Sequence, residues 1–396
     1  MKIAFVTYEY SPFVYGGAGV YADNIVKELE KRGHEVHVIT FGNEEKYTKI
    51  GNLNIHHLGV PNLPFQMWIP SYWICLLNSF SRINREYGKF DVLINNGFSA
   101  LSLIKRLTPM PRILVMHQSG ETVIRHVNPS FKDRIKNLNN EMGLPHLFDP
   151  ILSARADKIV AVSKYVKSSL IKDLNIDEGK IEVVYNGFND YHSDLDVGEK
   201  NALKKKYGIE GKFSALFVGR VSDKRKGLKN LLDSIKKVDQ KKNFILLAVG
   251  NSINNEIYDH IKKLELENNV KLLGKIKDDE LKKLYSICDA YISNSYYESF
   301  GLTLVEAMSA NKPIIARDVG GIGEVITKDN GILIKDTTNE SMTKAIDEMF
   351  SNLDDYRKKG LENRDYAINK FSWEKAAEQM ESIALELIAK KEIDGK

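Results

Sequence analysis

The sequence predicts an α/β protein made of two doubly wound domains facing each other across a cleft. Three observations carry that expectation. Its 396 residues suit two or three domains with ample core. Two series of short apolar strands alternate with helical patterns, the second starting afresh at Lys212. Between them residues 189–211 are polar and charged and read as a linker with a short helix. The expected division is residues 1–188, that linker, and residues 212–372, followed by a last helix within 373–396.

Bulk properties narrow the function classes. Apolar content of 43% and charged content of 28% are those of a soluble globular protein. The net charge of +4, from 57 basic and 53 acidic residues, argues against a nucleic-acid partner. Two cysteines, Cys75 and Cys288, form no disulfide framework or zinc spacing, so a reducing cytoplasm is expected. The opening MKIAFVTYEY reads as a strand and not as a signal peptide. The most apolar window, residues 63–80, is interrupted by Gln66, Pro64, Pro70 and Asn78, too often for a membrane span. It reads as a buried helix or an acceptor-site wall, with membrane-surface contact as the alternative.

Residues 2–7 form the first expected strand. After a long loop with Gly16, Gly17 and Gly19, a helix over 20–32 puts Ala22, Ile25, Val26 and Leu29 on one face, and Gly33 stops it. The strand 35–40 completes a βαβ unit. Gly17-x-Gly19-x-x-Ala22 formally matches a dinucleotide fingerprint, but about nine residues separate it from its strand. The second strand also ends in Thr40 and not in an acidic residue. The glycines therefore read as a helix-start loop facing a ligand. Further strands are expected at 91–94, 112–116, 158–162 and 181–184. His117 directly follows one of them, at a carboxyl end where side chains face a cleft. A lone histidine is more often structural. Ser163 caps the helix after 158–162.

The second series places strands at 213–218, 244–249, 270–273, 290–293, 313–316 and 332–334. Arg220 follows its strand directly and faces the cleft, whereas Lys224 and Arg225 read as solvated. Lys226 precedes Gly227 and a new helix. Lys275 and Ile276 close a strand before a helix at Asp279. The densest stretch is residues 293–326, SNSYYESFGLTLVEAMSANKPIIARDVGGIGEVI. Gly301 suits a backbone that comes close to a ligand. The helix after it offers unpaired N–H groups and a positive dipole end to a phosphate. Glu306, about one turn into that helix, is in reach of a hydroxyl pair such as a ribose. Gly320 and Gly321 open another helix over 322–326.

This constellation resembles the retaining glycosyltransferases of family 4, which have the GT-B fold of two Rossmann-like domains. Their E-x7-E signature reads here as Glu298 to Glu306 within ESFGLTLVEAMSANKPIIA. The resemblance covers nearly the full length and is densest from Gly219 to Ile326. It implies a nucleotide-sugar donor on the second domain, with Arg220 and Lys226 as the phosphate-binding pair and Glu306 on the ribose. Glu298 would hold sugar hydroxyls near the anomeric centre. Ser299, Phe300, Gly301 and Leu302 would form the donor loop. Lys275 and Ile276 would cup the nucleobase, unless that segment is only a structural turn. His117 would orient the transferred sugar, and Gly16, Gly17 and Gly19 would form an acceptor or phosphate loop. The family often has Asn-Gly followed by a hydrophobe and Asp; after Asn186-Gly187 this chain has Phe188-Asn189, so Asn stands where the Asp would make its local hydrogen bond, with the domain boundary intact. The last helix, over 373–389, would cross back to the first domain. Arg125, His126, Lys132, Arg134 and Lys136 form either a solvated face or a docking surface for an anionic acceptor or lipid headgroup.

The expected activity is transfer of a hexose-type sugar, with retention, from a nucleotide-sugar to a glycan, lipid-linked or small-molecule acceptor. A UDP-sugar is favoured, with GDP- and ADP-sugars as the other options. Fixed cations make a metal dispensable, no Asp-x-Asp cluster stands at a strand end, and no cofactor is expected. The expected location is the cytoplasm or the inner face of its membrane. Alternatives are a sugar-nucleotide epimerase of the same fold and a glycogen- or starch-synthase-like glucosyltransferase. The latter enzymes carry a lysine just before the glycine pair, where Val14 and Tyr15 stand here.

Overall fold

The computed structural model describes residues 1–14, 16–60, 65–97, 108–120, 122, 148–239 and 241–394, with only the backbone of 65–70. The chain divides into two compact units, Met1–Gly187 with Ser372–Lys396, and Phe188–Phe371.

In the first unit the strands are β1 (Lys2–Thr7), β2 (Glu35–Gly42), β3 (Lys46–Ile50), β4 (Leu53–Gly59), β5 (Val92–Asn96), β6 (Arg112–Met116), β7 (Lys158–Ala161) and β8 (Ile181–Val183). They form one sheet in the order β3-β4-β2-β1-β5-β6-β7-β8. Among the described strand pairs of this sheet, only β3–β4 is antiparallel. Strands β1, β2, β5 and β6 are buried almost throughout, which is why they read as continuous apolar runs and not as alternating ones. The hairpin β3–β4 escaped the sequence reading. Its edge strand KYTKI is exposed at nearly every position and carries no in–out pattern to detect.

The helix Gly17–Lys31 starts three residues earlier than expected, because its glycines lie inside the first turn. It buries Tyr21, Ala22, Ile25, Val26 and Leu29, and Gly33 ends it at φ 87°. The C-terminal helix Trp373–Asp394 belongs to this unit and packs on helix Gly17–Lys31. Trp373 meets Tyr21 edge-on at 5.8 Å, and Arg32 Nε donates to Glu381 at 2.6 Å. A Cβ on Gly187 would lie 2.3 Å from the Trp373 nitrogen, so only glycine lets the two segments approach.

The second unit holds β9 (Phe213–Val218), β10 (Phe244–Val249), β11 (Val270–Gly274), β12 (Ala290–Ser293), β13 (Ile314–Arg317) and β14 (Ile332–Ile334). All are parallel, in the order β11-β10-β9-β12-β13-β14. Leu216, Leu246, Ile292 and Ile315 are fully buried in this sheet.

Residues 189–211 are not a free linker. They fold onto the second unit: Arg364 clasps Asp190 at 2.6 and 2.7 Å, and Tyr191 N–H donates to Ser309 Oγ at 2.9 Å. Helix Val197–Tyr207 is held by a capping box between Asp196 and Glu199 and ends at Gly208 in the left-handed region. Tyr207 and Ile209 are buried, a cohesion that the polar composition concealed.

Candidate active site

In an open parallel sheet, ligands bind at the carboxyl ends of the strands where the winding reverses. In the second unit that point lies between β9 and β12. The loop after β9 begins Gly219-Arg220. Its carbonyl lies so close to Gly250 that a Cβ there would be 1.7 Å away, and Gly250 adopts φ 151°. The Gly250 N–H donates to the Gly274 carbonyl at 2.9 Å, which ties the Lys275–Ile276 turn to the same support. Lys275 is exposed and Ile276 half-buried.

Asp223 organises the next turn, Lys224–Lys226. Its carboxylate accepts the Arg225 N–H at 3.0 Å and pairs with the Arg225 guanidinium at 2.7 Å and Arg220 at 3.5 Å. Lys224 is exposed as expected, but Arg225 is not solvated: its side chain is 16% exposed. Its local partner, Asp223, was the signal that sequence reasoning overlooked. Gly227, at φ 67°, passes under Asn294, whose carbonyl would meet a Cβ there at 2.3 Å. Asn294 Nδ2 donates back to the Gly227 carbonyl at 2.7 Å.

Lys226 and Glu298 are brought together: Nζ lies 2.5 Å from Oε1, which also accepts the Ser295 hydroxyl at 2.9 Å. The loop bearing Glu298 rests on the second glycine turn. Gly321 N–H donates to the Glu298 carbonyl at 2.9 Å, and a Cβ on Gly320 would come within 1.9 Å of that oxygen. Phe300 is buried against Phe371 at 5.4 Å. Gly301, at φ 98°, begins helix Leu302–Ser309 with no side-chain cap, so the first N–H groups stay available.

Glu306 lies on this helix, with the Tyr285 hydroxyl 3.4 Å from its carboxylate. Burial, helped by the charge of Asp278, pushes its pKa up to about 7. Arg317 was missed by the sequence reading. It is fully buried, donates to Asn294 at 2.6 Å and to the Asp336 and Thr338 carbonyls at 2.8 and 3.1 Å, and lies over the Tyr296 ring. It braces the Asn294–Tyr296 segment from below.

In the first unit the winding reverses between β1 and β5. His117 follows β6, and its Nε2 lies 2.7 Å from Asn96 Oδ1. Asn96 Nδ2 donates to Thr7 at 3.1 Å and to the Ala18 carbonyl at 2.9 Å. One amide thus joins His117 to the glycine loop. Burial lowers the His117 pKa to about 4, which keeps the imidazole neutral. Tyr21 packs edge-on to it at 5.1 Å. Gly16 N–H donates to the buried Glu9 at 2.8 Å, and a Cβ on Gly19 would sit 2.7 Å from that carboxylate. Gly17 is the first residue of the helix. Glu9 and Asn96 also escaped the sequence reading, although Glu9 stands just past one apolar strand and Asn96 ends another.

Ser163 caps its helix as expected, accepting the Val166 N–H. The basic residues between Arg125 and Lys136 lie outside the described residues. No described helix is long and apolar enough to cross a membrane. Among the described residues no group of three His, Cys, Asp or Glu side chains converges on a metal position.

Two α/β units, each with a strand reversal in a mainly parallel sheet, define a class of protein that the comparisons make specific. Sucrose-phosphate synthase from Thermosynechococcus elongatus superposes with a TM-score of 0.81 at 19% identity, covering 98% of this chain and 99% of that one. The HepE protein of Anabaena in complex with UDP-glucose superposes with a TM-score of 0.74 at 20% identity, covering 98% and 100%. The fold is therefore GT-B. The family model described as Glycosyl transferases group 1 matches residues 199–365, and that described as Glycosyltransferase Family 4 matches residues 15–191. The chain belongs to this family of glycosyltransferases. An uncharacterized glycosyltransferase of Methanocaldococcus jannaschii is 27% identical over 98% of this chain and all of its own.

Proposed function

We propose that this glycosyltransferase moves a hexose from a nucleotide-sugar, a UDP-sugar, to a glycan, lipid-linked or small-molecule hydroxyl, with retention and without a metal. The observation that carries this reading is the Lys226–Glu298 pair, 2.5 Å apart, at a strand reversal beside an uncapped helix N-terminus. The UDP-glucose in the Anabaena neighbour supports uridine as the base.

The roles follow from charge. When the sugar leaves a nucleoside diphosphate, negative charge grows on the departing phosphate oxygen. Arg220, Lys226 and the N–H groups of Phe300, Gly301 and Leu302 stabilise it without reorganising. Each charge-assisted hydrogen bond contributes about 1.5–3 kcal/mol. These cations supply what a metal would. Glu298 receives sugar hydroxyls, with Lys226 and Ser295 holding its orientation, and Ser299 lies in the same donor loop. Glu306 accepts the ribose hydroxyls, while Lys275 and Ile276 border the base. In the first unit, neutral His117 orients the transferred sugar by hydrogen bonding, and Gly16, Gly17 and Gly19 form the acceptor-side loop. The free cysteines, Cys75 and Cys288, support a reducing cytoplasmic location.

A double displacement needs a nucleophilic carboxylate close to the anomeric carbon. Glu298, held through Oε1 by Lys226 and Ser295, is assigned here to sugar hydroxyls and not to nucleophilic attack. The acceptor hydroxyl therefore attacks on the face from which phosphate leaves, and its proton passes to the departing phosphate oxygen. NMR of the product made from an α-linked UDP-sugar tests this route. The expected product is α-linked and forms equally well with a chelator present. A β-linked product would overturn the front-face route, and loss of turnover with the chelator would overturn metal independence.

A further inference from the structure

The second unit carries another basic cluster, at the opposite ends of its strands. Ser286 to Asp289 precede β12, and Asn311 to Pro313 precede β13, so both lie at amino ends. Arg220 and Glu298 lie beyond carboxyl ends. A cavity of about 160 Å³ opens there, lined by Lys200, Lys204, Lys312 and Arg357, with Asp289 as the lone lining carboxylate.

The charges around this cavity do not cancel. Asp289 is already spent: Oδ1 pairs with Arg357 at 2.7 Å, and Oδ2 accepts the Ser214 N–H and hydroxyl, both at 2.9 Å. Among the described residues, none of the three lysines has a carboxylate within ion-pairing distance. Lys200 and Lys204 stand one turn apart on helix Val197–Tyr207, and both are half-buried. Lys312 Nζ touches only carbonyls, Ser286 at 3.2 Å and Cys288 at 2.9 Å. Burial lowers its pKa to about 8, with Cys288 and Asp289 opposing the shift and Lys200 and Arg357 adding to it.

The position of Lys312 is also built. Asn311 adopts the left-handed φ of 60°. The Lys312 N–H donates to the Ala307 carbonyl at 3.0 Å, and its own carbonyl accepts Asn363 Nδ2 at 3.1 Å. A Cβ on Gly360 would lie 2.6 Å from the Asn311 carbonyl, so helix Leu353–Lys370 presses directly on this turn. A clamped turn thus holds a half-buried lysine beside other cations, an arrangement that a counter-charge relieves.

We propose that this cavity binds a small phosphate dianion, either the free ion or the head of a phosphomonoester. Lysines act on phosphate as point charges, and three lysines around one cavity, beside an Arg357 already paired with Asp289 and Asp354, suit a compact dianion. An extended polyanion would instead need cations laid along a track.

Calorimetric titration of inorganic phosphate into the full-length chain, at fixed ionic strength, tests the site. Saturable binding is expected in the wild type and in the Arg220→Ala/Lys226→Ala variant. It weakens about tenfold or more in Lys200→Gln/Lys204→Gln, whose changes lie on one helix surface and leave Lys312 in place. A parallel titration with glycerol 1-phosphate separates the two sources: tighter binding than phosphate assigns the ester, weaker binding the free ion. Absence of saturable phosphate binding, or undiminished affinity in the Lys200→Gln/Lys204→Gln chain, overturns the site. Loss confined to the Arg220→Ala/Lys226→Ala chain overturns it too and moves the binding to the donor cluster.

Discussion

Glu306 shows how a single residue of the motif takes its chemistry from its surroundings. Buried beside Tyr285, its carboxyl has a pKa raised from 4.5 to about 7. The folded chain thus holds a proton there that the unfolded chain has already released. The stability this contributes is full below the unfolded value and is lost as pH rises through about 7. Urea unfolding from about pH 5 to about pH 8 should show the wild type losing stability relative to Glu306→Gln. Parallel pH profiles of the two chains would contradict the buried, protonated carboxyl. At this scale the sequence revealed the charged residues that carry a motif, Arg220, Lys226, Glu298 and Glu306. It did not reveal those that hold them. Asn96, Asn294 and Arg317 act through long-range hydrogen bonds, such as that from Arg317 to Asn294, and no local spacing encodes such partners.

The elements carry a second lesson. The loop of Glu298 is not a free turn; it is seated on Gly320 and Gly321, which leave no room for a Cβ. Gly320→Ala forces a shift of the Glu298 carbonyl and strains a backbone at φ 60°. We expect about 1–3 kcal/mol of destabilisation and weaker UDP binding, read by denaturation and calorimetry. Unchanged UDP affinity in a folded Gly320→Ala chain would show that the turn does not support the donor loop. The strands were legible because parallel strands covered on both faces are short apolar runs, and β9, β10 and β12 match their expected bounds. The β3–β4 hairpin was not, since its edge is exposed at nearly every position. The stretch 189–211 looked like a linker because its composition is polar, while its cohesion rests on a few residues, Asp190, Tyr191, Tyr207 and Ile209.

At the scale of the whole molecule, two α/β series in one chain were plain from the repeat of strand and helix patterns. The membership of Ser372–Lys396 in the first unit was legible only through the family resemblance. Its physical basis is the packing of Trp373 on Tyr21 and Gly187 and the Arg32–Glu381 pair. Removing residues 372–396 should therefore lower the melting of the first unit and spare that of the second, as two separated calorimetric transitions. An unchanged thermogram would contradict that assignment. The central claim is that the second unit holds a nucleoside diphosphate through Arg220 and Lys226. Calorimetric titration of UDP into the wild type, Arg220→Ala and Lys226→Ala chains tests it most directly. The expected result is saturable UDP binding that weakens by about tenfold or more in each variant, since each loses a charge-assisted hydrogen bond. UDP affinity unchanged in both variants, or no binding of UDP by the wild type, would contradict it.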